Sequence, residues 1–421
     1  MRAPGREGPK LASMAWRNIW RNRRRTLLTL SSIAFGSMLA VMLTGIGDAN
    51  WRAMIDLAAR LGGGHVTVQH AEYLDTPTLS RSVTGAAHLR ETALLDPEVE
   101  RVVARITGFL MLSTAGQSYG AGFIALDPEA EDTSTLSLLE ALSEGEMFER
   151  ADSPGIVLGE TLAGNLDLKL GRKVVYTLTD KHGEIVREAA RLTGIVRTGS
   201  PSVDGGIALL PLDRMRGTIG FAPDEVVQVG LFLPDQRQAE RVAARVGAEL
   251  GQQVSAIPWY EAQPDLAAFI TMKVAGAYFM EIVMAILVAA GIFNTLFVSV
   301  MERLREFGIL LAIGFSSARL FALVMLESLW LSLVGLVAAA ALTAGPYYYM
   351  ATTGIDIAEV ITDGGTAEIA GIALTSIMRA SIYPENLLYI ALAVVAATLL
   401  SGLYPAWRAG RVEPAETIRL V

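Results

Sequence analysis

The stretch Thr26–Gly47 contains no charged residue, and three later stretches are almost as apolar. A helix rises 1.5 Å per residue, so about 20 apolar residues cross the hydrocarbon core of a bilayer. Ile282–Met301 has no charge, and the span is read back to Ala275 to take in Glu281. Leu320–Gly345 carries only Glu327, and Asn386–Trp407 carries none. The expected class is therefore membrane α-helical, with four transmembrane helices at 26–47, 275–301, 320–345 and 386–407. Trp16, Trp20, Trp51, Tyr278, Tyr347, Tyr404 and Trp407 sit where interfacial anchors belong. The chain is 52% hydrophobic and 19% charged, below the quarter usual for a soluble domain. Yet 43 acidic and 35 basic residues are too many for a chain wholly in lipid. The long interval 48–274 is accordingly expected to be a large water-exposed domain, in a 1+3 arrangement of spans.

Basic residues set the expected orientation. Arg2, Arg6, Lys10, Arg17, Arg21, Arg23, Arg24 and Arg25 precede the first span, against one acid, Glu7. Arg303, Arg305 and Arg319 lie between the second and third spans, and Arg408, Arg411 and Arg419 follow the fourth. The positive-inside rule then places 1–25, 302–319 and the tail 408–421 in the cytoplasm. It places 48–274 and the loop 346–385 outside, where 48–274 holds 31 acidic and 20 basic residues. A cleaved signal peptide is disfavoured, because the apolar stretch is too long and no small-residue cleavage site stands near Asp48.

The first span is expected to continue as a helix through 48–60 and to end at Gly62-Gly63-Gly64. Alternating residues predict strands at 65–70, 103–114, 120–126, 173–179, 191–197, 206–210, 226–233 and 254–259. Ala239, Val242, Ala243, Val246 and Leu250 predict an amphipathic helix over 235–250. The outside domain thus reads as α+β, in two lobes, with an insertion near 125–225.

Candidate catalytic chemistry is thin. Gly116-Gln117-Ser118-Tyr119-Gly120 fits G-x-S-x-G, but a nucleophile elbow needs a helix after the serine. Here a strand follows, so the segment reads as a hairpin turning near Ala115–Gln117, with only His182 downstream as a base. Gly155, Gly159, Gly164 and Gly171 are regularly spaced, but no G-x-x-x-x-G-K-[ST] occurs, so no ATP site is recognisable. The histidines, His65, His70, His88 and His182, form no H-x-x-x-H pair, and there is no cysteine. No catalytic, cofactor-binding or metal residue is expected. The net charge of −8 argues against nucleic acid as a partner.

Four other features concern helices. Leu11–Arg25 places Trp16, Ile19 and Trp20 on one side among arginines, as a helix lying on membrane lipid would, either as a mobile elbow or as topogenic charge. Ser32, Gly36, Ala40 and Thr44 recur every fourth residue, as do Gly335, Ala339 and Thr343, which lets another helix approach closely. Spacing does not decide whether that helix belongs to the same chain. Glu327 is costly within a span and needs a partner. It is read as facing the polar 302–319 segment, near Arg303 or Arg305, rather than as a proton site. Finally, Met301–Arg319 is short but amphipathic, with charges at 302, 303, 305 and 306 before Phe307, Ile309, Leu310 and Ile313. Gly308 and Gly314 are read as breaks. Such a segment suggests docking to another protein, or a helix flat on lipid.

These residues resemble a known family, the ABC-transporter permease subunits of the macrolide-exporter, lipoprotein-releasing and cell-division type. The 1+3 layout matches over the whole chain. Glu302–Leu310 with Ala312-Ile313-Gly314 resembles the family's coupling segment, and Tyr404–Ala409 with Val412–Arg419 resembles its C-terminal signature. Glu327-Ser328 also fits. Gly64–Val68, Tyr73–Asp75, Ala125–Pro128, Gly155–Glu160 and Gly194–Gly199 leading to Asp204 resemble the lipoprotein-releasing branch. The resemblance implies an inner-membrane permease that transmits force rather than forming a pore. It implies a separate cytoplasmic ATPase subunit carrying ATP and Mg, a second permease copy, a lipoprotein substrate and a periplasmic chaperone. The ATPase contact is expected over Arg303–Gly314. Phe307, Leu310 and Leu311 would be apolar anchors, Arg303, Arg305 and Glu306 the polar rim, and Gly308 and Gly314 part of the segment. Rival readings are a macrolide or peptide efflux permease with a periplasmic adaptor, and a transmembrane regulator of a cell-wall hydrolase.

Overall fold

The computed structural model describes residues 11–356, 368–369, 372–373 and 377–411. The motif Val412–Arg419, the residues before Leu11 and residues 357–367, 370–371 and 374–376 of the 346–385 loop lie outside the described residues. The chain divides into two compact units. One takes residues 1–50, 272–356 and 377–421, and the other takes 51–271 and 357–376.

The first unit is helical. A short helix α1 (Leu11–Arg21) precedes the long α2 (Arg23–Leu61). The hydroxyl of Thr26 donates to the carbonyls of Ile19 at 2.5 Å and Asn22 at 3.1 Å, satisfying groups freed at the end of α1. Then come α3 (Pro264–Glu302), α4 (Leu304–Ala312), α5 (Ser317–Thr352) and α6 (Pro384–Gly410). Four of them, α2, α3, α5 and α6, are long and apolar enough to cross a membrane. Small residues set their packing. A methyl added at Gly335 on α5 would stand 2.5 Å from Ile33 on α2. One added at Gly36 on α2 would stand 2.7 Å from Val288 on α3. Asp48 on α2 accepts from the backbone of Tyr383 at 3.1 Å and the side chain of Asn386 at 2.8 Å, fixing the start of α6.

The second unit is built on one ten-stranded sheet. Its strands are β1 (Val66–His70), β2 (Arg101–Ser113), β3 (Ser118–Leu126), β4 (Leu142–Gly145), β5 (Gly155–Gly159), β6 (Lys173–Thr179), β7 (Ile185–Val196), β8 (Ile207–Pro211), β9 (Gln228–Phe232) and β10 (Val254–Pro258). Their order is β10-β1-β9-β2-β3-β8-β5-β7-β4, with β6 pairing both β2 and β7. Pairs are antiparallel except β3 with β8 and β5 with β7. The near-continuous apolar runs of β3, β5 and β8 follow from burial on both faces. Phe123, Ile156 and Leu210 enter one core with Val66, Ile106 and Leu231. Ile124, Val157 and Leu209 enter another with Leu136, Leu138 and Phe148. The helix Ala239–Ala248 buries Val242 and Ala243 in the first core.

The expected strands and helix are present with bounds shifted by a few residues, except that β7 begins at Ile185, well before the expected 191. Two lobes split by an insertion at 125–225 do not interrupt the sheet, because β3 and β8 pair directly and return the intervening chain to it. Ser113 pairs with Ser118 in the β2–β3 hairpin, so Ser118 opens a strand and no helix follows it.

Candidate functional site

The connection between α3 and α5 holds the candidate site. The backbone leaves helical geometry at Arg303 (φ −104°, ψ 9°), and α4 then runs for nine residues. At Gly314 φ is +99°, a value glycine adopts readily, and Ser316 caps α5 by accepting from the Arg319 amide at 3.3 Å. Gly314 is thus a break, whereas Gly308 is not. It lies inside α4 and is buried.

The helical period decides what α4 presents. Leu304, Phe307, Gly308 and Leu311 fall at i, i+3, i+4 and i+7 and form its inward face. Phe307 is fully buried, in a cluster with Ala15 of α1, Val300 of α3, Leu320, Leu323 and Val324 of α5, and Ala406 and Ala409 of α6. Leu310 and Leu311 pack at the edge of the same cluster. Phe307 is therefore not exposed to a partner but is a plug shared with four other elements, α1, α3, α5 and α6, and Leu310 and Leu311 are only half available. The outward face is Arg305, Ile309, Ala312 and Ile313, with Ile309 48% and Ile313 73% exposed. Ile309 and Ile313 follow Arg305 at four-residue steps. The sequence carries that spacing, but not which of two apolar stripes turns inward.

The charges are also committed within the chain. Arg303 is not a rim residue. Its Nη1 donates to Glu327 at 2.9 and 3.2 Å, and its guanidinium lies 5.0 Å over the Phe307 ring. Asn18 Nδ2 donates to the same carboxylate at 2.7 Å. Glu327, expected near Arg303 or Arg305, meets Arg303. Glu306 accepts from Arg21 and sits 3.4 Å from Arg303 Nε. Burial would raise the Glu306 carboxyl, but the hydrogen bond and charge of Arg21, with Arg303 beside it, hold it below the usual carboxylate range. Arg25 pairs with Glu302 at 2.5 Å. Asn18 was not foreseen, and no local pattern marks it, because its partner is 309 residues away.

The packing stripe Ser32, Gly36, Ala40 and Thr44 is used in part within the chain. Gly36 faces Val288, and Thr44 donates to Glu281 at 2.8 Å, both on α3. Ser32 is exposed and bonds its own helix at Leu28, and Ala40 is half-buried.

A helical membrane unit with a short amphipathic connection, and a large α/β unit inserted between its first and second long helices, define a class of membrane permease. A sequence model of the MacB-like periplasmic core domain matches residues 26–249, and one of the FtsX-like permease C-terminal domain matches 278–414. The chain belongs to the ABC-transporter permease family that carries these domains. It is 22% identical over 428 residues to the lipoprotein-releasing system transmembrane protein LolE of Haemophilus influenzae, covering 96% of this chain and 98% of that one. It is 23% identical to LolC of the same system from Xylella fastidiosa, covering 79% and 80%. It is 19% identical to the macrolide export ATP-binding/permease protein MacB of Agrobacterium fabrum, covering 76% of this chain and 50% of that one.

Proposed function

We propose that this chain is the permease subunit of an ATP-driven transporter that works by mechanotransmission and releases lipoproteins from the inner membrane toward the outer membrane. The observation that carries the mechanism is the α4 surface. Arg305, Ile309 and Ile313 stand outward on a helix whose other face is plugged into the membrane unit. A separate ATPase subunit, binding ATP and Mg, closes on that surface, and α4 passes the push to the helices it plugs. Both termini and the 302–319 connection are cytoplasmic in this reading, and a second permease copy completes the transporter. Several buried polar side chains of the long helices are spent within their own helix. Ser328, Ser332 and Thr398 each donate to a carbonyl of their own helix. A substrate that never crosses the bilayer suits such spans.

Lipoprotein as cargo, with a periplasmic chaperone as acceptor, is supported by the end-to-end likeness to LolE. The MacB-like core match favours a second reading, macrolide or peptide efflux with a periplasmic adaptor. Depletion of the chain in its own cells separates the two. Lipoprotein release predicts that outer-membrane lipoproteins accumulate in the inner membrane. Normal lipoprotein sorting with raised macrolide sensitivity would favour efflux.

A further inference from the structure

Glu327 stands roughly 15 Å along α5 from its first residue, counted at 1.5 Å per residue, and is 8% exposed. A carboxylate so placed persists only if it is paired. Its pairing is two-sided. Asn18 of α1 donates to one oxygen, and Arg303, the single residue between α3 and α4, donates to both. Arg303 also reaches Glu306 at 3.4 Å, and Glu306 accepts from Arg21. Asn18 and Arg21 are three residues apart on α1, so they share one face of it. The contacts therefore close a circuit that leaves α1 at Asn18, passes through α5 and the start of α4, and returns to α1 at Arg21.

The circuit crosses the chain's own hinge. Arg303 alone breaks the helical geometry between Glu302 and Leu304. A push on α4 would bend a free hinge and be lost there. With the Arg303 side chain held by Glu327 and its ring contact on Phe307, the hinge is braced on two sides. The geometry points to Glu327 as the positioning residue of the coupling apparatus, locking the Arg303 hinge so that α1, α4 and the start of α5 move as one body. This rests on the reading that α4 receives the push of an ATPase. A glutamine at 327 keeps the shape and an acceptor for Asn18. It removes the buried charge and leaves the Arg303 guanidinium, 12% exposed, with only Glu306 at 3.4 Å as a counter-ion.

The test uses the purified chain in nanodiscs without any ATPase, so it does not depend on docking. The chain has no cysteine, so two introduced ones carry the only spin labels. Labels at Arg17→Cys on α1 and Ala312→Cys at the end of α4 occupy exposed positions. The parent is expected to give one narrow distance distribution. Glu327→Gln is expected to widen it at least twofold, and Asn18→Ala to widen it less. The exchange Arg303→Glu with Glu327→Arg should narrow it again, a rescue that mere loss of packing would not show. A parental distribution in Glu327→Gln, or in Asn18→Ala where the first variant does not insert, overturns the inference. In the assembled complex, Glu327→Gln should keep its ATPase but lose at least tenfold in substrate release, and release at the parental rate overturns it equally. A parent chain that binds no ATPase would sink the functional reading while leaving the spectroscopic result to stand on its own.

Discussion

Arg105 is the largest fully buried side chain among the described residues, and each of its three guanidinium nitrogens donates. Nε and Nη2 bind the two oxygens of Glu131 at 2.6 and 2.8 Å, Nη2 also reaches the Thr135 carbonyl at 2.7 Å, and Nη1 reaches the Gly62 carbonyl at the end of α2. Breaking such a pair leaves a bare buried charge and costs about 3–5 kcal/mol. Arg105→Ala should therefore open residues 51–271 to limited proteolysis at a much lower temperature, whereas Arg105→Met with Glu131→Leu should be milder. His65 is a second such residue. Its Nδ1 accepts from the Leu233 amide at 3.0 Å, and its Nε2 is buried without a hydrogen-bond partner. Burial pushes the imidazole below its ordinary value of 6.5, Asp56 at 3.7 Å works the other way, and Arg60 adds to the lowering. The unfolded chain then binds the proton more tightly than the folded one, so stability is present above pH 6.5 and falls as pH drops below it. His65→Gln should flatten that part of the pH–stability curve. An unchanged slope would show that His65 is not its source.

At the scale of elements, the strands were legible because their burial leaves a period of two or an unbroken apolar run. The long helices were legible by length alone. What the sequence could not supply was direction. Phe307 and Ile309 are both apolar positions on one short helix, and only the packing of Ala15, Val324 and Ala409 around Phe307 shows which is inside. The Tyr404–Ala409 part of the C-terminal signature is explained in the same way, since Ala406 and Ala409 are small residues buried in one cluster with Phe307. Two predictions follow from these faces. Phe307→Ala empties a fully buried ring site and should destabilise the membrane unit by about 3–5 kcal/mol, seen as a lower melting temperature in detergent. Gly335→Leu must force α5 away from Ile33 and should likewise impair assembly, whereas Gly291→Leu, with open space around its Cα, should not. Equal melting temperatures for these two variants would contradict the packing described here.

At the scale of the whole molecule, the layout was readable from four apolar stretches and one long polar interval, and so was Glu327 facing the start of the 302–319 segment, while the return of the circuit to α1 through Asn18 and Arg21 was not. Asn18 lies 309 residues from its partner, and Arg21 alone reads more simply as a topogenic charge. Orientation is tested by cysteine labelling in intact cells. Exposed Ser118 should react with an impermeant thiol reagent once changed to cysteine, and exposed Ser316 should not. The most direct test of the account is ATP hydrolysis by the complex purified through this chain, compared with a chain bearing Ile309→Asp and Ile313→Asp. Both side chains are exposed, so the double variant should insert and melt like the parent. A carboxylate pressed into an apolar contact is costly, and interface energy concentrates in a few such groups. The parent is expected to bring down a separate ATPase and hydrolyse ATP, and the variant to lose both at least tenfold. An ATPase retained at parental level and activity on the double variant, or hydrolysis by the chain free of any second polypeptide, would contradict it.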